Sequence, residues 1–248
     1  IITQAVDINN PVLGFFHRWI EEFSKHCEKL TVICLEKGDY NLSKNVKVLS
    51  LGKEEFISSH SYYSYVIRRL VSLYRFYKFI WQERKNYDSV FVHMNQEYVL
   101  LGGLFWKILN KRTMLWRNHP RGNLLTDLAV LLSGRVFCTS RYSYTAKFKK
   151  TEIMPVGIDM DLFKRHPEIK KIQHSILFLG RISPIKKPDM LVEALNLLNK
   201  DNSDFNALIA GDPLPKDREY YEGIKNKIRK YGLGSKIKLA GGIKNRET

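Results

Sequence analysis

Short β-branched or aromatic runs alternate with longer amphipathic stretches along nearly the whole chain, and few architectures accept that rhythm. A strand that leads through a helix into a further strand closes as a right-handed β-α-β unit, so repetition gives a mostly parallel sheet flanked by helices. Ile1 to Val6 reads as the first strand, and Phe15 to Cys27 as its helix, with Phe16, Ile20 and Phe23 on one face. Strands follow at Leu30 to Leu35, Val46 to Leu51 and Ser89 to His93, with a long helix from about Tyr62 to Arg84 before the last. An apolar helix spans Glu97 to Leu109, then a strand Thr113 to Trp116, a helix Leu124 to Leu132 and a strand Val136 to Thr139. A helix from Ser140 to Phe148 and a strand Glu152 to Pro155 complete this half.

The stretch Lys164 to His174 is polar, carries Pro167 and reads as a linker. Beyond it the rhythm restarts. Ser175 to Leu179, Phe205 to Ala210 and Lys236 to Ala240 are expected strands, and Pro188 to Asn199 and Glu219 to Tyr231 expected helices. The expectation is two α/β domains, 1–166 and 167–248. With 248 residues, 44% of them apolar, the chain can build both cores. Its start at Ile1 without Met or basic leader, and its end at Thr248 just after a strand-like segment, read as those of a fragment with an incomplete second domain.

Charge narrows the partners. The net charge is +16, and residues 101–150 hold ten basic side chains against one acid, Asp127. A negatively charged partner is implied: a phosphorylated small molecule, an anionic membrane surface or nucleic acid. Against nucleic acid, no RNP, KH or helix-turn-helix pattern is present, and the cations gather at strand ends. Three cysteines, Cys27, Cys34 and Cys138, make neither a disulfide framework nor a four-thiolate zinc site, which suits a reducing, cytoplasmic setting. No apolar run is long enough to span a bilayer. From Tyr62 to Trp81, however, aromatics interleave with Arg68, Arg69, Arg75 and Lys78, a pattern suited either to core packing with solvated arginines or to peripheral contact at the inner face of an anionic membrane.

Ligands of open parallel sheets bind beyond the carboxyl ends of the strands. Gly14 closes the loop after the first strand, where a glycine lets backbone N–H groups approach a phosphate; the alternative is a simple turn. His93 ends one strand and His119 follows another; each reads either as a cleft residue on the acceptor side or as a hydrogen-bonded structural histidine, while Arg117, His119 and Arg121 form a donor-rich set suited to hydroxyl- or phosphate-bearing ligands. In Leu177-Phe178-Leu179-Gly180-Arg181-Ile182-Ser183-Pro184-Ile185-Lys186-Lys187-Pro188 a strand ends in Gly-Arg, and a second cation precedes a helix start. A guanidinium fork and a mobile ammonium beside a helix N-terminus suit a diphosphate. Gly211, and Gly242 with Ile243, close the next two strands.

The segment from Gly180 to Lys186, continuing into Asp189 to Leu195, resembles the donor-binding signature of group 1 (family 4) glycosyltransferases, and Met154-Pro155-Val156-Gly157-Ile158-Asp159 with Phe163 resembles that family's junction motif. The resemblance implies the GT-B fold, two Rossmann-like domains facing across a cleft. It further implies a retaining hexosyltransferase using a nucleotide-diphosphate sugar as donor and a saccharide or lipid-linked acceptor, in surface polysaccharide, lipopolysaccharide or glycolipid synthesis. No cofactor or metal is required. Arg181, Lys186 and His119 carry over as catalytic residues: the two cations on the leaving diphosphate, the histidine on a sugar hydroxyl. Gly14, Gly180, Gly211, Gly242 and Ile243 carry over as contacts to the nucleotide. Two departures stand. The family's paired glutamates are absent up to Thr248, and Lys187 occupies a usual glycine position.

Asp159-Met160-Asp161 spells a metal-binding Asp-x-Asp, and His93 and Glu97 share i, i+4 spacing, but neither has the expected context. A non-catalytic module holding nucleic acid or an anionic polymer is the alternative function. A sugar-nucleotide epimerase or dehydrogenase would need G-x-G-x-x-G after the first strand, which is missing.

Overall fold

The computed structural model describes residues 1–56, 62–158, 160–161, 163–201 and 203–243. Two compact units divide the chain, Ile1–Asp159 and Met160–Thr248. In the first, β1 (Ile2–Val6), α1 (Phe15–Lys25), β2 (Leu30–Lys37) and β3 (Val46–Ser50) lead into the long α2 (Tyr62–Gln82). Then follow β4 (Ser89–His93), α3 (Gln96–Ile108), β5 (Arg112–Trp116), α4 (Leu124–Leu132), β6 (Arg135–Cys138) and β7 (Thr151–Ile153).

These seven strands form one sheet in the order β3-β2-β1-β4-β5-β6-β7, with every neighbouring pair parallel. The order reverses between β1 and β4, which opens a crevice at their carboxyl ends. Right-handed crossovers decide where the helices lie, because the steps from β1 to β3 run one way along the sheet and the steps from β3 to β7 run the other way. Accordingly Phe16 and Ile20 of α1 join a core with Val32, Phe91 and Phe137 on one face. Phe76 and Ile80 of α2, Val99 and Trp106 of α3, and Val130 of α4 fill the other. Helix α3 approaches α4 closely because Gly103 has no Cβ; one there would lie 3.0 Å from Leu132 Cβ. Asn123 caps α4 reciprocally, its side chain accepting from the Thr126 N–H and the Thr126 hydroxyl accepting from the Asn123 N–H.

One expected helix is not formed. Residues 140–148 make only a short 3-10 turn, Tyr144–Lys147. The Tyr144 ring lies against Gly122, where a Cβ would come within 2.2 Å of it, and its N–H donates to His119 O. Tertiary packing on the preceding loop therefore overrides the local helical pattern.

In the second unit β8 (Ser175–Leu179), α5 (Pro188–Lys200), β9 (Asn206–Ala210), α6 (Arg218–Lys230) and β10 (Ile237–Gly241) form a parallel sheet in the order β10-β9-β8. Val192 and Leu195 of α5 and Ile224 and Ile228 of α6 share one core with Ala207 and Ile209. Both helices thus cover the same face. On β8, Ile176 and Phe178 turn toward that core, while Leu177 and Leu179 alternate outward.

Candidate functional site

Two clusters of sequence-predicted residues form, one at the strand carboxyl ends of each unit. In the first, Gly14 is the residue before α1 and is buried. A Cβ there would lie 2.7 Å from Asn10 O and 2.9 Å from Ile8 O, so the loop closes only around glycine. The loop satisfies itself: Asn10 Oδ1 accepts from the Val12 and Leu13 N–H groups, and Asn10 O from the Gly14 N–H. Asn10, which no motif singles out, is what holds this loop, and an Asn in a loop after a strand signals this kind of local bonding.

His93 does not stand at the mouth of the crevice, contrary to the sequence reading. It is 2% exposed, stacked on Phe16 with ring centroids 3.8 Å apart, and hydrogen-bonded through Nδ1 to Thr3 Oγ1 at 3.2 Å. Burial pulls its pKa down to about 4, which fits the structural alternative, a neutral imidazole, and not an acceptor-side residue.

Arg117, His119 and Arg121 do come together. Arg117 Nη2 donates to Arg121 O at 3.0 Å, and His119 Nδ1 lies 2.9 Å from the same oxygen and 3.1 Å from Arg121 N. Asn118 Oδ1 accepts from the Thr139 N–H and ties this loop to the one after β6. A cavity of about 260 Å³ is lined by Met94, Gln96, Glu97, Arg117, Asn118 and His119. Its floor is polar and incompletely satisfied: Gln96 Oε1 and Arg117 Nη1 are buried with no hydrogen-bond partner among the described residues. Burial also lowers the Arg117 pKa from its ordinary value, with Glu97 opposing the shift. Met94, at φ 65°, holds a left-handed backbone that a side-chain-bearing residue rarely adopts, and such strain concentrates at functional sites. No sequence pattern announces it.

In the second unit the three strand ends are drawn together by glycines. A Cβ on Gly211, whose φ is 140°, would lie 1.9 Å from Gly180 O, so the loops after β8 and β9 touch backbone to backbone. Gly211 N–H donates to Gly241 O at 2.7 Å, and a Cβ on Gly242 would meet the Asp212 carboxylate at 2.3 Å. Asp212, which the motif reading did not single out, therefore stands beside Gly242 and the exposed Ile243. Arg181 and Lys186 are both exposed in the loop before α5, and among the described residues neither head group is held by a hydrogen bond or ion pair. The turn between them is fixed by the Lys186 and Lys187 N–H groups donating to Ser183 O. Lys187 is left-handed at φ 51°, the conformation that explains why a glycine suits this position. Asp159 of the Asp-x-Asp lies outside the described residues, and among the described residues no group of three His, Cys, Asp or Glu is placed to hold a metal ion.

Residues 159–248 match the family model described as glycosyl transferases group 1. That match covers the second unit. Solved structures extend the likeness to the whole chain as a fold. Anabaena HepE, crystallised with UDP, is 18% identical with a TM-score of 0.69, over 98% of this chain and 69% of that one. Sucrose-phosphate synthase from Thermosynechococcus elongatus is 13% identical with a TM-score of 0.70, over 98% and 70%. A glycosyltransferase from Rickettsia africae is 18% identical with a TM-score of 0.66, over 98% and 68%. The chain thus has the GT-B glycosyltransferase fold expected from its sequence. Comparison with curated proteins gave no match.

Proposed function

We propose that this glycosyltransferase moves a hexosyl group, with retention of configuration, from a nucleoside-diphosphate sugar to an acceptor hydroxyl. The observation that carries the reading is in the second unit, where the loops at glycine-bearing strand ends meet and Arg181 and Lys186, in the loop leading into α5, are exposed and in no hydrogen bond or ion pair among the described residues. The glycines let these loops close on one another at the strand ends, and two uncommitted cations complement the charge of a diphosphate.

The chemistry follows from charge development. As the bond between the anomeric carbon and the phosphate oxygen breaks, its electron pair stays on the diphosphate while the sugar becomes oxocarbenium-like. Cations fixed at the diphosphate stabilise that state more than the ground state. The acceptor oxygen bonds to the anomeric carbon on the same face, and the departing phosphate oxygen takes the acceptor's proton. The acceptor, a saccharide or a lipid-linked saccharide, is assigned to the first unit. There His119 and Arg117 line a polar cavity of about 260 Å³ with unsatisfied donor and acceptor atoms on its floor. HepE has been crystallised with UDP-glucose, which makes a uridine diphosphate sugar the first donor to test.

The test is release of UDP by the intact protein. Replacing both cations, Arg181→Ala with Lys186→Ala, should cut turnover at least about 100-fold and abolish the thermal shift given by UDP, with unchanged circular dichroism. A double variant that turns over and binds UDP like the parent overturns the assignment. The anomeric configuration of the product, read by NMR, tests retention.

A further inference from the structure

The helical layer formed by α2, α3 and α4 has an outer surface that the transfer reaction does not use. All three helices send their inner faces into one core on the same side of the sheet, so their opposite faces point the same way. Those outer faces are apolar. On α2, Leu70, Tyr74, Tyr77 and Trp81 recur at i, i+4, i+7 and i+11, with Leu70 61% and Tyr74 67% exposed. On α3, Leu101, Leu104 and Ile108 form a second stripe, and Ile108 is 75% exposed. On α4, Leu124, Leu128 and Leu131 form a third, reaching 83% exposure at Leu124. The stripes are contiguous: the Tyr77 hydroxyl donates to Leu101 O, Trp81 packs on Phe105, and Gly103 lets α3 approach Leu132 of α4. Singly exposed leucines need no explanation, but three aligned stripes on neighbouring helices mark a surface that something covers.

Charge decides what covers it. Helix α2 has no acidic residue in 21 positions, and Arg69 and Lys78 flank its stripe on either side. Lys107 does the same on α3. None of these three cations is in an ion pair among the described residues. The acids on α3 and α4 are Glu97, in the first turn of α3, and Asp127, which is already engaged by the Tyr144 hydroxyl and Lys147. Two copies meeting through this face would set cations against cations. A sheet of anionic headgroups over an acyl interior complements both features, since long basic side chains reach the headgroups while the apolar stripe enters beneath them. Trp81, with the Arg84 guanidinium 4.2 Å above its ring, has the amphipathic character found at membrane interfaces. Among the described residues no helix is long and apolar enough to cross a membrane, so the contact is peripheral.

We propose that the outer face of α2, α3 and α4 docks the protein on an anionic lipid bilayer. This goes beyond the transfer reading and does not depend on it.

The experiment is co-sedimentation of the intact protein with vesicles of phosphatidylcholine alone and of phosphatidylcholine mixed with phosphatidylglycerol. Binding should need the anionic lipid and weaken as salt is raised. Leu104→Ser with Ile108→Ser, and separately Arg69→Ala with Lys78→Ala, should each lower partitioning about tenfold or more. All four positions lie on the outer surface, so melting temperature and UDP binding should stay at the parent values. Equal binding to both vesicle types, parent-like binding by both variants, or absence of binding overturns the proposal. So does a dimer, seen by analytical ultracentrifugation, that the same substitutions dissociate.

Discussion

The two sets of strand ends solve opposite problems. In the first unit the loops are bonded to themselves: Asn10 takes the amides of its own loop, and Arg121 O gathers Arg117 and His119. In the second unit, glycine backbones meet, and Arg181 and Lys186 in the loop before α5 are left uncommitted among the described residues. A surface whose donors are already placed by internal bonds can discriminate among neutral hydroxyls, because a misfit leaves a buried polar atom unpaired. A surface with free cations suits a ligand that brings its own charge.

That contrast can be broken where it is strongest. Gly211→Ala should cost about 3 kcal/mol or more, because its Cβ would sit inside contact distance of Gly180 O and its φ of 140° is unfavourable to any side chain. Urea denaturation reads the loss, and a variant as stable as the parent would show that the glycines are not what joins the second unit's loops.

In the first unit the sharper test is pH. His93 has a folded pKa near 4 against an ordinary value of 6.5, so the unfolded chain takes up the proton first. Its contribution is complete above pH 6.5 and is lost as the pH falls toward 4, by about 3 kcal/mol over the window. His93→Gln should be less stable at neutral pH but flatter in acid by that amount. Parallel acid profiles for variant and parent would return His93 to the cleft role expected from its place at a strand end.

The smallest effect is expected at Lys187. Lys187→Gly should raise stability by up to about 1 kcal/mol by relieving a left-handed residue before α5. A lower melting temperature would mean that the lysine side chain compensates for its own backbone.

Much of the fold was readable because its signals are local. Strands Ser89–His93 and Ser175–Leu179 and helix Leu124–Leu132 fall where periodicity set them, since a run of β-branched residues or a 3.6-residue apolar repeat is complete within one element. The Gly-Arg-x₄-Lys segment was likewise legible as a motif. Failures came where a residue's fate lies with a distant element. His93 looked like a cleft residue from its place at a strand end, but Phe16 and Thr3 from two other elements close over it. Residues 140–148 looked helical until Tyr144 was set against Gly122. The basic aromatic pattern of α2 left core packing and membrane contact open; the structure packs Phe76 in the core and leaves Tyr74 exposed on the same helix.

By itself the sequence determined the β-α rhythm, the excess of positive charge and the glycines at strand ends, because backbone sterics and short-range periodicity are properties of neighbouring residues. Only the tertiary structure decided which polar atoms were already spent on internal partners, which histidine was neutral, and that three separate apolar stripes lie on one surface. Those outcomes depend on which residues from remote parts of the chain exclude water from the same place, and no linear pattern encodes that directly.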